Sequence, residues 1–232
     1  MTTRIEAVSD PETLTRVYRD VLDPSFPATE LVTLEHFVEG GAAGVIDVLV
    51  ARGDGDGVLG VIAGERHGAG VLVDWLAVAG TTRGGGVGGA LLSAGIARWL
   101  GEHGALLVLG EVERPDLFSA HPQYGDPARR LAFYERAGVA VLDMPYYQPP
   151  IRDGAPRLPG LMLTVLAAAE TAAPPRRLDA AETAAVRDVL LATMGSAEPG
   201  DAQTARVYDA VDHPDGLHLL PLSQYERTPV SH

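Results

Sequence analysis

The chain has 232 residues, a formal net charge of −13 and no cysteine, and arginine supplies all 18 of its basic residues. This excludes disulfides, thiolate zinc sites, cysteine nucleophiles, a Schiff-base lysine and a P-loop lysine. The acidity disfavours nucleic-acid backbones and anionic membrane surfaces and weakly favours a cationic partner.

Residues 5–8 read as a short strand. "SDPETLTRVYRDVL" then starts a helix, with Asp10 as N-cap, Pro11 at the first helical position and Glu12 in the first turn. Leu14, Val17, Val21 and Leu22 form one apolar stripe at helical spacing. "PSFPATELVTLEHFVEGG" predicts a second helix, capped by Thr29 and stopped by Gly40 and Gly41. Three β-rich runs follow, over 45–51, 58–65 and 71–78, separated by the turn signals "GDGDG" and "HGAG". That order predicts an antiparallel meander. "VGGALLSAGIARWLGEHG" reads as a helix, "ALLVLGEVE" as a strand and "RPDLFSAHPQYGDP" as a loop. "PARRLAFYERAG" is a helix running from Pro127 to a stop at Gly138, and "VAVLDMPYYQPP" and "LPGLMLTVLAA" read as the last two strands.

The composition shifts after Ala168. "AAAETAAPPRR" reads as a linker. A helix capped by Asp179 follows, with Val186, Leu190 and Leu191 on one side, and then a polar tail from Ser196. The expected division is residues 1–168 as the main domain and 169–232 as an extension of linker, one helix and tail. The tail is open to three roles: wrapping the main domain, mediating a homodimer, or staying partly disordered. No apolar run reaches the ~18 residues of a membrane span. "MTTRIEAVSD" lacks the basic flank and apolar core of a secretory signal, so no membrane association and a cytoplasmic location are expected.

The segment "TTRGGGVGGALLSAG" holds five glycines between Gly84 and Gly89 where a helix must begin. Glycine inside a helix costs roughly 1 kcal/mol relative to alanine. Three explanations compete. Gly84, Gly86 and Gly89 match the G-x-G-x-x-G dinucleotide fingerprint, with Glu111 about 20 residues beyond. Yet "AGTTR" separates Val78 from Gly84, and hairpins precede it where a parallel sheet should open. The segment can also be a glycine-rich loop without a ligand. The third explanation is a cradle for a pyrophosphate. A helix start leaves about four N–H groups unpaired and carries partial positive charge, and glycines let the anion approach.

The third explanation meets a family resemblance. Arg83, Gly86 and Gly88, followed by Leu91 and Leu92, resemble the acetyl-CoA signature of the GNAT superfamily (GCN5-related N-acetyltransferases). Tyr134, Glu135 and Gly138 resemble that family's later helix, although Arg130, Val139 and the Pro127 region depart from it. The likeness spans residues 5–166. It implies a GNAT fold: an α/β domain with a mixed, mostly antiparallel central sheet flanked by helices. It implies that Leu76, Ala77 and Val78 meet the pantetheine arm through their backbone. It also implies that Arg83, Gly84, Gly85, Gly86, Val87, Gly88 and Gly89 bind the pyrophosphate of acetyl-CoA, with no metal.

Direct acyl transfer needs a base for the amine, donors for the oxyanion and a proton for the leaving thiolate. By the resemblance, Tyr134 is the acid toward sulfur. Glu111 and Glu113 point to one face of their strand. Glu111 occupies the place resembling the catalytic glutamate of protein N-terminal acetyltransferases, and Glu113 is the next candidate. Either can instead pair with Arg83, Arg129 or Arg130. Asp74 either lines the substrate side or faces solvent. Tyr146, Tyr147 and Gln148 either bind an acceptor or pack. No His and carboxylate spacing suggests a metal. The expected function is acetyl-CoA-dependent N-acetylation of a small-molecule or protein amine. The alternatives are an inactive coenzyme A-binding module and a nicotinamide-dependent oxidoreductase.

Overall fold

A computed structural model describes residues 3–53, 57–80, 85–152, 154–170 and 173–231. The N-terminal half follows the expected order: β1 (Arg4–Val8), α1 (Pro11–Val17), α2 (Leu34–Ala43), β2 (Ile46–Arg52), β3 (Val58–His67) and β4 (Gly70–Val78). Asp10 caps α1 by accepting from the Thr13 N–H at 2.8 Å. The stripe Leu14, Val17, Val21 and Leu22 is buried as expected. The second helix begins later than expected. Its cap is Thr33, whose hydroxyl accepts from His36 N–H, and it ends at Gly44 with φ +73°. Gly40 and Gly41 lie inside the helix. A Cβ on Gly41 would sit 2.9 Å from Leu14, so that glycine lets α2 approach α1.

The chain continues through α3 (Val87–Ile96), β5 (Leu107–Glu113), α4 (Pro127–Arg136), β6 (Ala140–Leu142), β7 (Tyr147–Gln148), β8 (Leu158–Pro159) and β9 (Leu161–Ala168). Asp47 anchors the end of the α3 region to β2, accepting from Arg98 Nε at 2.7 Å and Trp99 Nε1 at 2.9 Å. The strand expected over "VAVLDMPYYQPP" is two pieces. β6 joins the main sheet, while β7 pairs with β8 in a separate two-stranded ladder.

Beyond Ala168 the one helix and polar tail expected from composition are instead β10 (Arg176–Arg177), α5 (Ala180–Met194), α6 (Ala202–Val211) and β11 (His218–Pro221). Asp179 and Glu182 form a capping box at the start of α5. Val186 and Leu190 are buried, but Leu191 is 43% exposed and Val189 takes the inward place. β11 pairs with β6, and β10 with β11. Short strands with ordinary polar neighbours carry little periodic signal, which is why composition alone read them as tail.

The main sheet has the order β1-β2-β3-β4-β5-β9-β6-β11-β10. All its described pairs are antiparallel except β4 with β5. One face packs against α3 and α4; the other packs against α1 and α2 at one end and α5 and α6 at the other. Among the described residues, no helix is long and apolar enough to cross a membrane.

Candidate active site

The site exists because β4 and β5 part. Their pairing ends at Val73 with Gly110, so the residues beyond face a gap in the sheet. A bulge marks the same point. Ala63 pairs with Trp75 and Gly64 with Val73, leaving Asp74 as the extra residue on β4. The bulge reverses the alternation of the strand. Val73 packs on the α3 side, whereas Trp75 and Ala77 pack on the α1–α2 side. Leu76 and Val78 are thereby turned toward the gap, where both line the cleft wall.

Two clefts meet there. The wider, about 1010 Å³, is lined by Gly86, Val87, Gly88 and Gly89 at the start of α3 and by Phe133 and Tyr134 of α4. The narrower, about 220 Å³, is lined by Glu30, Asp74, Glu111, Glu113 and Gln148. Leu76, Val78, Tyr124, Arg130 and Tyr134 belong to both walls, so the clefts communicate.

Gly86 is the N-cap of α3, with φ +80°, a left-handed conformation that glycine adopts without strain. Among the described residues, no side chain caps this helix. Its first-turn N–H groups therefore keep their donor capacity. Among the described residues, a Cβ on Gly86 or Gly89 would meet nothing within 4 Å. Arg83 and Gly84 lie outside the described residues. Arg129 and Arg136 of α4 line the same wide cleft and add positive charge. Sequence inspection missed both as site residues, because their signal is only a helical face opposite the glycine turn.

The narrow cleft has the opposite character. Glu111 accepts from Tyr146 Oη at 2.5 Å on one oxygen and from Gln148 Nε2 at 2.6 Å on the other. Burial pushes its carboxyl above the usual range, against the pull of those two donors. β7 is what brings Gln148 to Glu111, so the two-residue ladder with β8 orients the site. Glu113 is engaged differently, by an ion pair to Arg130 at 2.6 Å. Arg130 also donates to the Tyr124 carbonyl at 3.0 Å. Tyr134 stands at the junction, and burial raises its hydroxyl above the ordinary phenol, so it is protonated at neutral pH. Asp74 lines the narrow cleft; among the described residues its Oδ2 is buried without a hydrogen-bond partner, and burial pushes its carboxyl well up.

Glu30 was not a sequence candidate. It ends a single helical turn, Ala28–Glu30, and its carbonyl accepts from Trp75 Nε1 at 3.0 Å. That contact joins residues 45 apart, so no local pattern announces it. Burial, with help from Glu113, pushes Glu30 up to about 7.

No protein-family model matches the sequence, and no curated protein is a significant match. Solved structures do match. A GNAT-family protein from Bacteroides thetaiotaomicron is 26% identical, with a TM-score of 0.58, over 81% of this chain and 95% of that one. The diaminobutyrate acetyltransferase of Paenibacillus lautus, solved with its substrate and coenzyme A, is 18% identical, with a TM-score of 0.51, over 75% and 100%. The ribosomal-protein alanine N-acetyltransferase of Escherichia coli is 16% identical, with a TM-score of 0.50, over 74% and 97%. The chain has the GNAT fold. The GNAT sheet is mostly antiparallel, which removes the parallel frame that the G-x-G-x-x-G dinucleotide fingerprint needs. Among the described residues, no group of three or more His, Asp or Glu is placed to hold a metal ion.

Proposed function

We propose that this GNAT protein is an acetyl-CoA-dependent N-acetyltransferase acting on an amine by direct attack. The observation that carries the proposal is the meeting of the two clefts at Tyr134, with an uncapped glycine helix start at one end and Glu111 at the other.

Acetyl-CoA fits the wide cleft by its chemistry. Its pyrophosphate can accept from the Gly86–Gly89 N–H groups at the positive end of α3. Arg129 and Arg136 supply further charge to its phosphates. Among the described residues, the edge of β4 past Val73 pairs with no strand on its β5 side, so the backbone of Leu76 to Val78 is available to the amides of the pantetheine arm.

The acceptor amine then lies in the narrow cleft. Its nitrogen forms a bond to the thioester carbonyl carbon, and its proton passes to Glu111, directly or through one water. The C–S bond breaks, and Tyr134 gives its proton to sulfur. A buried carboxyl raised above the ordinary glutamate suits a base, and each oxygen of Glu111 keeps a lone pair beyond its Tyr146 or Gln148 bond. Glu113, already paired to Arg130, suits a positioning role.

An amine panel with acetyl-CoA and a free-thiol readout tests this. Turnover should appear and should fall sharply in Glu111→Gln and Tyr134→Phe. Full turnover in both variants overturns the assignment of base and acid. Thermal stabilisation by NAD or NADP but not by coenzyme A overturns the acetyltransferase proposal itself.

A further inference from the structure

A second compartment lies behind the narrow cleft, and it is acidic as well. It also measures about 220 Å³ and is lined by Glu65, His36 and His67, with Ala192 and Thr193 of α5 on one side. Glu30, Asp74, Glu111 and Gln148 line both compartments, so the two form one passage through the gap between β4 and β5. Five carboxylates face this passage: Glu30, Glu65, Asp74, Glu111 and Glu113. Among the described residues, the guanidinium on its wall is that of Arg130, and Glu113 already takes it.

Asp74 is the observation that points beyond a simple amine. Among the described residues, its Oδ2 is buried and has no hydrogen-bond partner. The bulge that makes Asp74 the extra residue of β4 also sets it on the wall of both compartments. A buried carboxylate without a donor is costly, and an ammonium brings three donors and the opposite charge. The reacting nitrogen must be neutral when it attacks, so it can donate an N–H to Asp74 but brings it no positive charge. A second, protonated nitrogen on the acceptor would supply that charge.

We infer that the acceptor is a linear aliphatic diamine or polyamine, whose reacting amine lies at Glu111 while a second ammonium is held by Asp74. This rests on the proposed acetyl transfer. The passage suits such a molecule: it is narrow, acidic on both sides of the bulge, and long enough to have two compartments. A diamino acid would carry its carboxylate into the same negative field, so it is disfavoured. Burial pushes both Asp74 and Glu30 up, which agrees with carboxyls that a bound cation would ionise.

The test measures initial rates of thiol release from acetyl-CoA with butylamine and with 1,4-diaminobutane, and with the three- and five-carbon diamines. The diamines should exceed the monoamine in kcat/KM by about 10- to 100-fold, the range expected for a desolvated ion pair. In Asp74→Asn the diamine-to-monoamine ratio should fall toward one. Titration of 1,4-diaminobutane into the wild-type protein saturated with coenzyme A gives a second readout that needs no variant. Equal use of diamine and monoamine overturns this inference and leaves the acetyltransferase proposal standing. Equal loss with both amines in Asp74→Asn also overturns it, by placing Asp74 in the chemistry. A peptide N-terminus preferred over every diamine overturns it too. Diamine binding without turnover of any amine supports the cation site and overturns the catalytic proposal. Neither binding nor turnover overturns both.

Discussion

The two ends of the site handle charge in opposite ways. The wide cleft is lined by the start of α3 and by Arg129 and Arg136, with Asp126 3.7 Å from Arg129. The narrow passage is made of carboxylates, most of them without a cation of their own. A chain with a net charge of −13 thus gathers bare backbone donors and arginines where an acyl carrier's phosphates would lie. It gathers carboxyl groups where an amine would lie. Backbone donors serve the first end and side chains the second, and that difference decides which end a mutation can reach.

The largest expected effect comes from Glu111→Gln. It should lower kcat by roughly 10²- to 10⁴-fold, the usual worth of a positioned general base. The KM for acetyl-CoA should hardly move, because Glu111 lines the narrow cleft and not the wide one. Steady-state kinetics checks both halves. An equal rise in the KM for acetyl-CoA would break the division between the ends.

Tyr146→Phe acts on the same residue through its environment. The Tyr146 hydroxyl donates to Glu111 at 2.5 Å and so holds that carboxyl down against burial. Without it the carboxyl of Glu111 rises further. The acid limb of the kcat/KM profile should move to higher pH, so the rate should fall more on the acid side of the profile than on its alkaline side. A limb that stays in place would mean that Glu111 is not the titrating base. Removing one donor from this buried pair should also cost about 1–3 kcal/mol of stability.

Gly89→Glu probes the opposite end and separates binding from folding. A Cβ there meets nothing within 4 Å. An acidic residue in the first turn of α3 should stabilise the helix by about 0.3–1 kcal/mol. The same charge competes with a pyrophosphate, so the KM for acetyl-CoA should rise by roughly tenfold. A higher Tm with weaker acetyl-CoA binding is the combined signature. An unchanged KM would remove the anion role from the glycine turn.

The wide end was far more legible in the sequence than the narrow one, and the reason is physical. Gly86, Gly88, Gly89 and Tyr134 lie in local patterns, a glycine-rich helix start and a helix with a recurring core. A backbone cradle must be written as consecutive residues. The acceptor side is assembled from distant ones. Glu30 reaches the site through Trp75, and Gln148 reaches Glu111 across 37 positions. Asp74 stood out only as a charge inside an apolar strand, and the bulge that aims it appears only once β3 and β4 are paired. β10 and β11 were hidden for a related reason: strands of two and four residues are too short to show a period.

The smallest effect, and the sharpest test of the acidic end, is the pH dependence of stability in Glu30→Gln. Burial and the neighbouring Glu113 and Glu111 raise Glu30 to about 7 from the usual 4.5, with Arg130 opposing. A carboxyl raised in the folded state binds its proton more tightly there than in the unfolded chain. Between pH 4.5 and 7 the native state therefore holds more protons, and stability falls as pH rises. Glutamine at this position carries no charge at any pH and escapes that slope. The variant and the wild type should melt alike near pH 4.5, where both side chains are neutral. By pH 8 the variant should melt higher, by a few degrees at most because Glu30 is only partly buried. Melting curves across this range check it. Parallel curves would show that Glu30 meets solvent freely, and the negative wall of the passage would lose one of its members.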